Sequence, residues 1–150
     1  MLKLTHALTD EYLYVLQKCF HIGLLKPYFN NLRKELIKMP KVYFNDLGLR
    51  NVLISYFAPI EQRADKAALL ENYVYRRFTE LFAREQIRFW RTSEGHEVDF
   101  VLEENTFGGF AVEVKFNPSE INTSRYNKFT TAYPVFPLRF LSWREQMLLL

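Results

Sequence analysis

Apolar positions change their spacing several times along this chain, and each change predicts an element. Leu8, Tyr12, Val15, Leu16 and Cys19 recur at helical spacing. A first helix is therefore expected, capped by Thr9 or Asp10, with Glu11 in the turn where the helix dipole favours an acid. FHIGLLKPYF then reads as a strand, NNLRKE as a polar turn and LIKMPKVYF as a second strand. Pro40 cannot donate to a ladder, which bends that strand or places it at an edge. A helix followed by a two-stranded return resembles a small winged-helix unit. Asp46 is the expected cap of a short helix, LGLRNVLIS, with Pro59 in the loop behind it. The polar stretch from Ile60 to Lys66 is the expected boundary between an N-terminal part, residues 1–60, and a core, residues 61–150.

The longest helix is expected at about Asp65 to Arg84, with Leu70, Val74, Phe78, Leu81 and Phe82 as its apolar stripe. Glu71 lies three positions before Val74 and seven before Phe78. It therefore borders the stripe instead of opposing it. IRFWRT reads as a strand and SEGH as a turn. EVDFVLE alternates, which puts Val98, Phe100 and Leu102 on one face and Glu97, Asp99 and Val101 on the other. After the turn ENTFGG, the partner strand FAVEVKF sorts Phe110, Val112, Val114 and Phe116 from Ala111, Glu113 and Lys115. Pro118 and Ser119 open a further helix through about Tyr126 and Phe129, YPVFPLRFLSW supplies a last strand, and REQMLLL reads as a frayed end. From Asp65 onward the order is helix, three meandering strands, helix, strand. The fold class is α/β (α+β by strict naming), a mixed sheet flanked by helices.

Composition narrows the function. The chain has 150 residues with 49% apolar content, enough for one folded domain or two small units sharing a core. Its net charge of +3 permits affinity for nucleic acid without announcing it. No apolar run approaches the roughly 18 residues of a membrane span, and the first residues lack the apolar core of a signal peptide. The single cysteine, Cys19, excludes an internal disulfide and a cysteine-based zinc cluster, so a reduced cytoplasmic setting is expected. His6, His21 and His96 are scattered and read as surface or packing residues. No G-x-x-x-x-G-K-[ST] loop is present, so this chain alone is not a nucleotide hydrolase.

The chemistry concentrates in GHEVDFVLEENTFGGFAVEVKF, residues 95–116. Asp99 and Glu113 fall fourteen positions apart, the reach of a hairpin, and Glu113 and Lys115 share a strand face. Hard carboxylate oxygens suit magnesium or manganese. Such an ion polarises a phosphate and acidifies water, and Lys115 can orient that water or offset charge in the transition state. The plainer reading is alternating charge on the wet face of a half-buried hairpin, with Glu113 and Lys115 a weak surface ion pair. Val101 and Ala111 share the charged face, however, and a helix carrying Glu71 must pack near it; isolated charge there is costly unless compensated. Arg84, Arg88 and Arg91, with Arg76, Arg77, Tyr75 and Trp90, can form a phosphate-tracking surface or an ordinary solvated face. Lys34, Lys38 and Lys41 flank the winged-helix-like part and can contact DNA.

LLKPYFNNLRKELIKMPKVYFNDLGLRN, LLENYVYRRF, FWRTSEGHEVDFVL and AVEVKF resemble, in order and spacing, the C-terminal domain of bacterial and archaeal AAA-type ATPases. That domain, itself of unknown function, has a restriction-endonuclease-like core of the PD-(D/E)xK superfamily. The resemblance runs from about Leu8 to Trp143. It implies that Asp99 and Glu113 bind Mg2+ or Mn2+, with the Val114 carbonyl as a third ligand. Lys115 would activate water and Glu71 would support the metal shell. Val98 replaces the proline that names the superfamily. The resemblance further implies a DNA substrate, a AAA-type ATPase module that this chain lacks as a partner, and room for an oligomer but no membrane. Its members include domains that bind nucleic acid or regulate their ATPase without cutting. A non-catalytic adaptor is thus the alternative.

Overall fold

The computed structural model describes residues 5–28, 39–105 and 108–143. In chain order the elements are α1 (His6–Lys18), β1 (Ile22–Pro27), β2 (Lys41–Phe44), α2 (Leu47–Leu53), α3 (Lys66–Leu81), β3 (Ile87–Arg91), β4 (Glu97–Asn105), β5 (Gly108–Lys115), α4 (Asn127–Ala132) and β6 (Leu138–Ser142). The strands form one six-stranded sheet in the order β2-β1-β3-β4-β5-β6. β1–β2, β3–β4 and β4–β5 are antiparallel, whereas β1–β3 and β5–β6 are parallel. The expected mixed sheet flanked by helices is the architecture the chain adopts.

Both faces of the sheet are covered, which explains the nearly continuous apolar run Val98–Leu102, interrupted only at Asp99. On one face α3 lays Leu70, Val74, Tyr75 and Phe78 against Leu25, Phe89, Phe100, Leu102, Val112 and Val114. On the other, Tyr126, Phe129, Tyr133 and Phe136 pack on Trp90, Val98, Val101 and Ala111. Burying a ring such as that of Phe78 or Phe129 contributes about 1.5–3 kcal/mol.

The N-terminal helix and two-stranded return are present, and the strand pair continues the common sheet. β1 runs beside β3 through Lys26 opposite Arg88 and Pro27 opposite Phe89. β2 begins just after Pro40 and is an edge strand. The turn NNLRKE and the tail REQMLLL lie outside the described residues, as do Thr106 and Phe107 of the ENTFGG turn.

Several boundaries differ from expectation. Thr5, not Thr9 or Asp10, caps α1: its Oγ1 accepts from the Leu8 N–H at 3.3 Å, and Thr9 sits one turn inside, donating to the Thr5 carbonyl. Asp46 does cap α2, accepting from the Gly48 and Leu49 N–H groups at 2.6 and 3.1 Å. α3 stops at Leu81 because Phe82 is extended. Leu81 is consequently 58% exposed, while Phe82 folds back so that its ring meets those of Phe78 and Phe110. The single helix expected after Pro118 is broken into 3-10 turns at Pro118–Glu120 and Thr123–Tyr126 followed by α4. Ile121 is extended, and the Asn122 side chain restarts the turn by accepting from the Ser124 N–H.

Candidate functional site

A bulge in β4 builds the site. Arg88 pairs with Val101, but Trp90 pairs with Val98, so two steps along β3 match three along β4. The extra residue shifts the alternation. Val98 therefore packs with Val101 against the α4 side, not with Phe100 and Leu102 as strict alternation required. Asp99 is turned to the α3 side, where its Oδ1 meets Lys41. Glu113 remains with Ala111 on the opposite side, where it meets Tyr126. The two acids, expected on one face, thus approach each other from both sides of the sheet.

They meet where the hairpin opens. The β4–β5 pairing runs down to Phe100 opposite Val112. Beyond it, side chains continue the connection. The Val114 N–H donates to Asp99 Oδ2 at 3.0 Å, and the Asp99 N–H donates to Glu113 Oε2 at 3.2 Å. Each carboxylate thereby satisfies a buried backbone donor of the neighbouring strand.

On the α3 side Lys41 is the hub. Its Nζ lies 2.8 Å from Glu71 Oε1, 2.5 Å from Glu97 Oε1 and 3.1 Å from Asp99 Oδ1. The Tyr43 hydroxyl donates to Glu71 Oε1 at 2.5 Å, and Arg91 Nε donates to Glu97 Oε2. These groups, except Asp99, help line a cleft of about 400 Å³. On the other side Glu113 Oε1 accepts from Lys115 Nζ at 2.5 Å and from the Tyr126 hydroxyl at 2.8 Å. Asp99, Glu113, Lys115, Tyr126, Arg125 and His96 line a second cavity of about 240 Å³.

The electrostatics follow from this crowding. Burial, then the charge of Glu71, pushes the Asp99 carboxyl up to about 7, against the pull of Lys41. Burial alone would lower the Lys41 ammonium, but Asp99, Glu71 and Glu97 outweigh it and hold the group well above the ordinary lysine range. Burial would likewise raise Glu97, yet the hydrogen bond from Arg91 and the charge of Lys41 bring it below its usual value. Desolvation would lower Lys115, but its bond to Glu113 outweighs that and raises it. Burial and Glu113 push the Tyr126 phenol up to about 12.

The fold brings together Glu71, Asp99, Glu113, Val114 and Lys115. It does not gather Arg84, Arg88 and Arg91. Arg91 joins the cluster through Glu97. Arg88 pairs with Val101 and lines a separate pocket of about 520 Å³ with Lys26, Tyr28 and Glu103. Arg84 is exposed in the 3-10 turn before β3. Sequence reasoning missed Lys41, Tyr43, Glu97 and Tyr126 as members of the site. The spacing of Lys41 and Tyr43 in KVYF, two apart on one strand face, was the available signal. Among the described residues no three His, Cys, Asp or Glu side chains are poised to hold a metal ion. The oxygen donors nevertheless suit a hard cation.

The molecule is thus an α/β domain with a buried carboxylate–ammonium cluster at the open end of a hairpin. The chain belongs to the family described as domain of unknown function DUF4143, whose profile matches residues 66–142. A second profile, domain of unknown function DUF8612, matches residues 1–62. Similar curated proteins are "Uncharacterized protein Mb2031c" of Mycobacterium bovis and "Uncharacterized protein Rv2008c" of Mycobacterium tuberculosis. Each is 28% identical over 95 residues, which is 62% of this chain and 22% of the relative. The match therefore spans about a fifth of the length of those relatives. No solved structure matches the chain significantly. No helix among the described residues is long and apolar enough to cross a membrane.

Proposed function

We propose that this chain is a divalent-metal-dependent nuclease domain that acts on DNA phosphodiesters in concert with a AAA-type ATPase module. The observation that carries the reading is the convergence of Asp99, Glu113, Lys115 and Glu71 on the open end of one hairpin, with both strand carboxylates buried. Asp99 and Glu113 would hold Mg2+ or Mn2+, with the Val114 carbonyl beside them and Glu71 supporting from α3. The ion supplies charge that polarises the scissile phosphate and acidifies a water. Lys115 remains an ammonium across the neutral range, so it orients the attacking water and offsets charge on the phosphate without taking a proton. Water oxygen would then bond to phosphorus as the P–O ester bond breaks, the proton of that water passing to solvent and the leaving oxygen taking one from solvent. Calorimetric titration of Mn2+ into the purified domain, with Asp99→Ala as control, tests the reading. Binding that disappears in the variant is expected. Absence of binding to the parent chain and to its Lys41→Met variant sinks it.

One observation favours a second reading, a non-catalytic adaptor that binds nucleic acid or protein for the ATPase. Lys41, Lys115 and Arg91 already neutralise most of the carboxylate charge. Salt-sensitive DNA binding that ignores Mg2+ and survives Asp99→Asn would establish it.

A further inference from the structure

Lys41 touches three carboxylates that come from two different elements, Glu71 on α3 and Glu97 and Asp99 on β4. An ammonium has three N–H donors, so these contacts use all of them. β2 aims the side chain there, because Lys41 lies opposite Leu25, whose side chain packs on the α3 face. Two of the remaining carboxylate oxygens are engaged elsewhere. Asp99 Oδ2 accepts from the Val114 N–H, and Glu97 Oε2 accepts from Arg91. The oxygens of Glu71, Glu97 and Asp99 that converge on one point therefore converge on Lys41 Nζ.

We propose that Lys41 is a built-in counter-cation that closes this acidic cluster in the metal-free protein, and that a divalent cation binds Asp99 only as the Lys41 ammonium leaves. The proposal rests on the metal reading above and adds the residue that competes with the ion. Two cations within contact distance of the same carboxylates repel each other, whereas either one alone satisfies them. The lysine has a place to go, since Lys41 borders the 400 Å³ cleft together with Arg50 and Arg91. Released into that cleft, the ammonium would face the space open to a substrate phosphate. Loading with metal and exposure of a phosphate-binding cation thus become one event.

The test is Mn2+ calorimetry on the parent chain, Lys41→Met and Lys41→Arg. Lys41→Met is expected to bind at least about tenfold tighter, and Lys41→Arg, which keeps the charge, to stay near the parent. Equal or weaker binding by Lys41→Met, with the parent binding, overturns the counter-cation role and leaves the metal reading standing. No binding by any of the three overturns both. If Lys41→Met does not fold, the parent chain answers through the 15N resonance of its Lys41 ammonium during Mg2+ titration. A shift that tracks metal occupancy supports displacement. Occupancy by calorimetry with the Lys41 resonance unmoved refutes it.

Discussion

At the scale of single residues, Lys41 and Asp99 set how stability depends on pH. The native Asp99 carboxyl titrates at about 7, above its unfolded value of about 3.9. The native state therefore binds the proton more tightly. Asp99 contributes stability at low pH that is lost as pH rises through that window, with a slope of at most about 1.4 kcal/mol per pH unit. Lys41 has a raised native value, so its contribution is fully present below the unfolded lysine value and is lost as pH rises from there through the native one. Lys41→Met is expected to cost about 3–5 kcal/mol at pH 8, because it removes the ammonium that three carboxylates share. The cost should shrink at pH 5, where the Asp99 carboxyl is protonated. Urea denaturation at the two pH values checks both the sign and the difference. Lys115→Ala carries a different expectation: if the proposed nuclease reading holds, the variant loses DNA cleavage with Mg2+, while its circular dichroism and melting remain close to the parent. Cleavage at the parent's rate would remove Lys115 from the mechanism.

At the scale of elements, the site depends on a prop behind it. A Cβ on Gly23 in β1 would lie 1.9 Å from the Tyr75 hydroxyl. Tyr75 is buried and stacks on Tyr43 with ring centroids 4.5 Å apart, and Tyr43 in turn holds Glu71. Gly23→Ala is therefore expected to destabilise by about 1–3 kcal/mol through overpacking. It should also disturb the Tyr43 ring signal in NMR, although neither residue adjoins the hairpin acids in sequence. The cap of α2 is a simpler case. Asp46→Ala removes the acceptor of two N–H groups and should cost about 1 kcal/mol in chemical denaturation.

At the scale of the whole molecule, burial is uneven. The sheet around β3, β4 and β5 holds the fully covered residues Phe89, Val98, Phe100, Val101 and Leu102. Helix α1 buries none. Of the large apolar side chains left exposed among the described residues, all but Leu81 and Val135 precede Ile60. Amide hydrogen exchange is expected to be fastest in α1 and slowest in β4 and β5. Protection of α1 equal to that of β4 would mean that it is held by contacts beyond those described.

Much of the fold is written locally in the chain. The alternation in FAVEVKF, the 3.6-residue stripe Leu70–Val74–Phe78 and the Asp46 cap are short-range patterns, and each marks a real element. Asp99, Glu113, Lys115 and Glu71 are readable as a candidate site from the sequence because their residue types and strand spacing are chemically specific. What the tertiary structure alone decided is non-local. The bulge that turns Asp99 toward α3 comes from pairing β3 against β4, and periodicity within β4 carries no trace of it. Lys41 reaches Glu71 and Asp99 across 30 and 58 positions of chain. Its place in the cluster follows from which strands β1 and β3 pair with, and so from the packing of the whole sheet. A lysine at an edge strand and a lysine inside an acid cluster look alike in sequence, because only the folded chain determines which charges must share low-dielectric space.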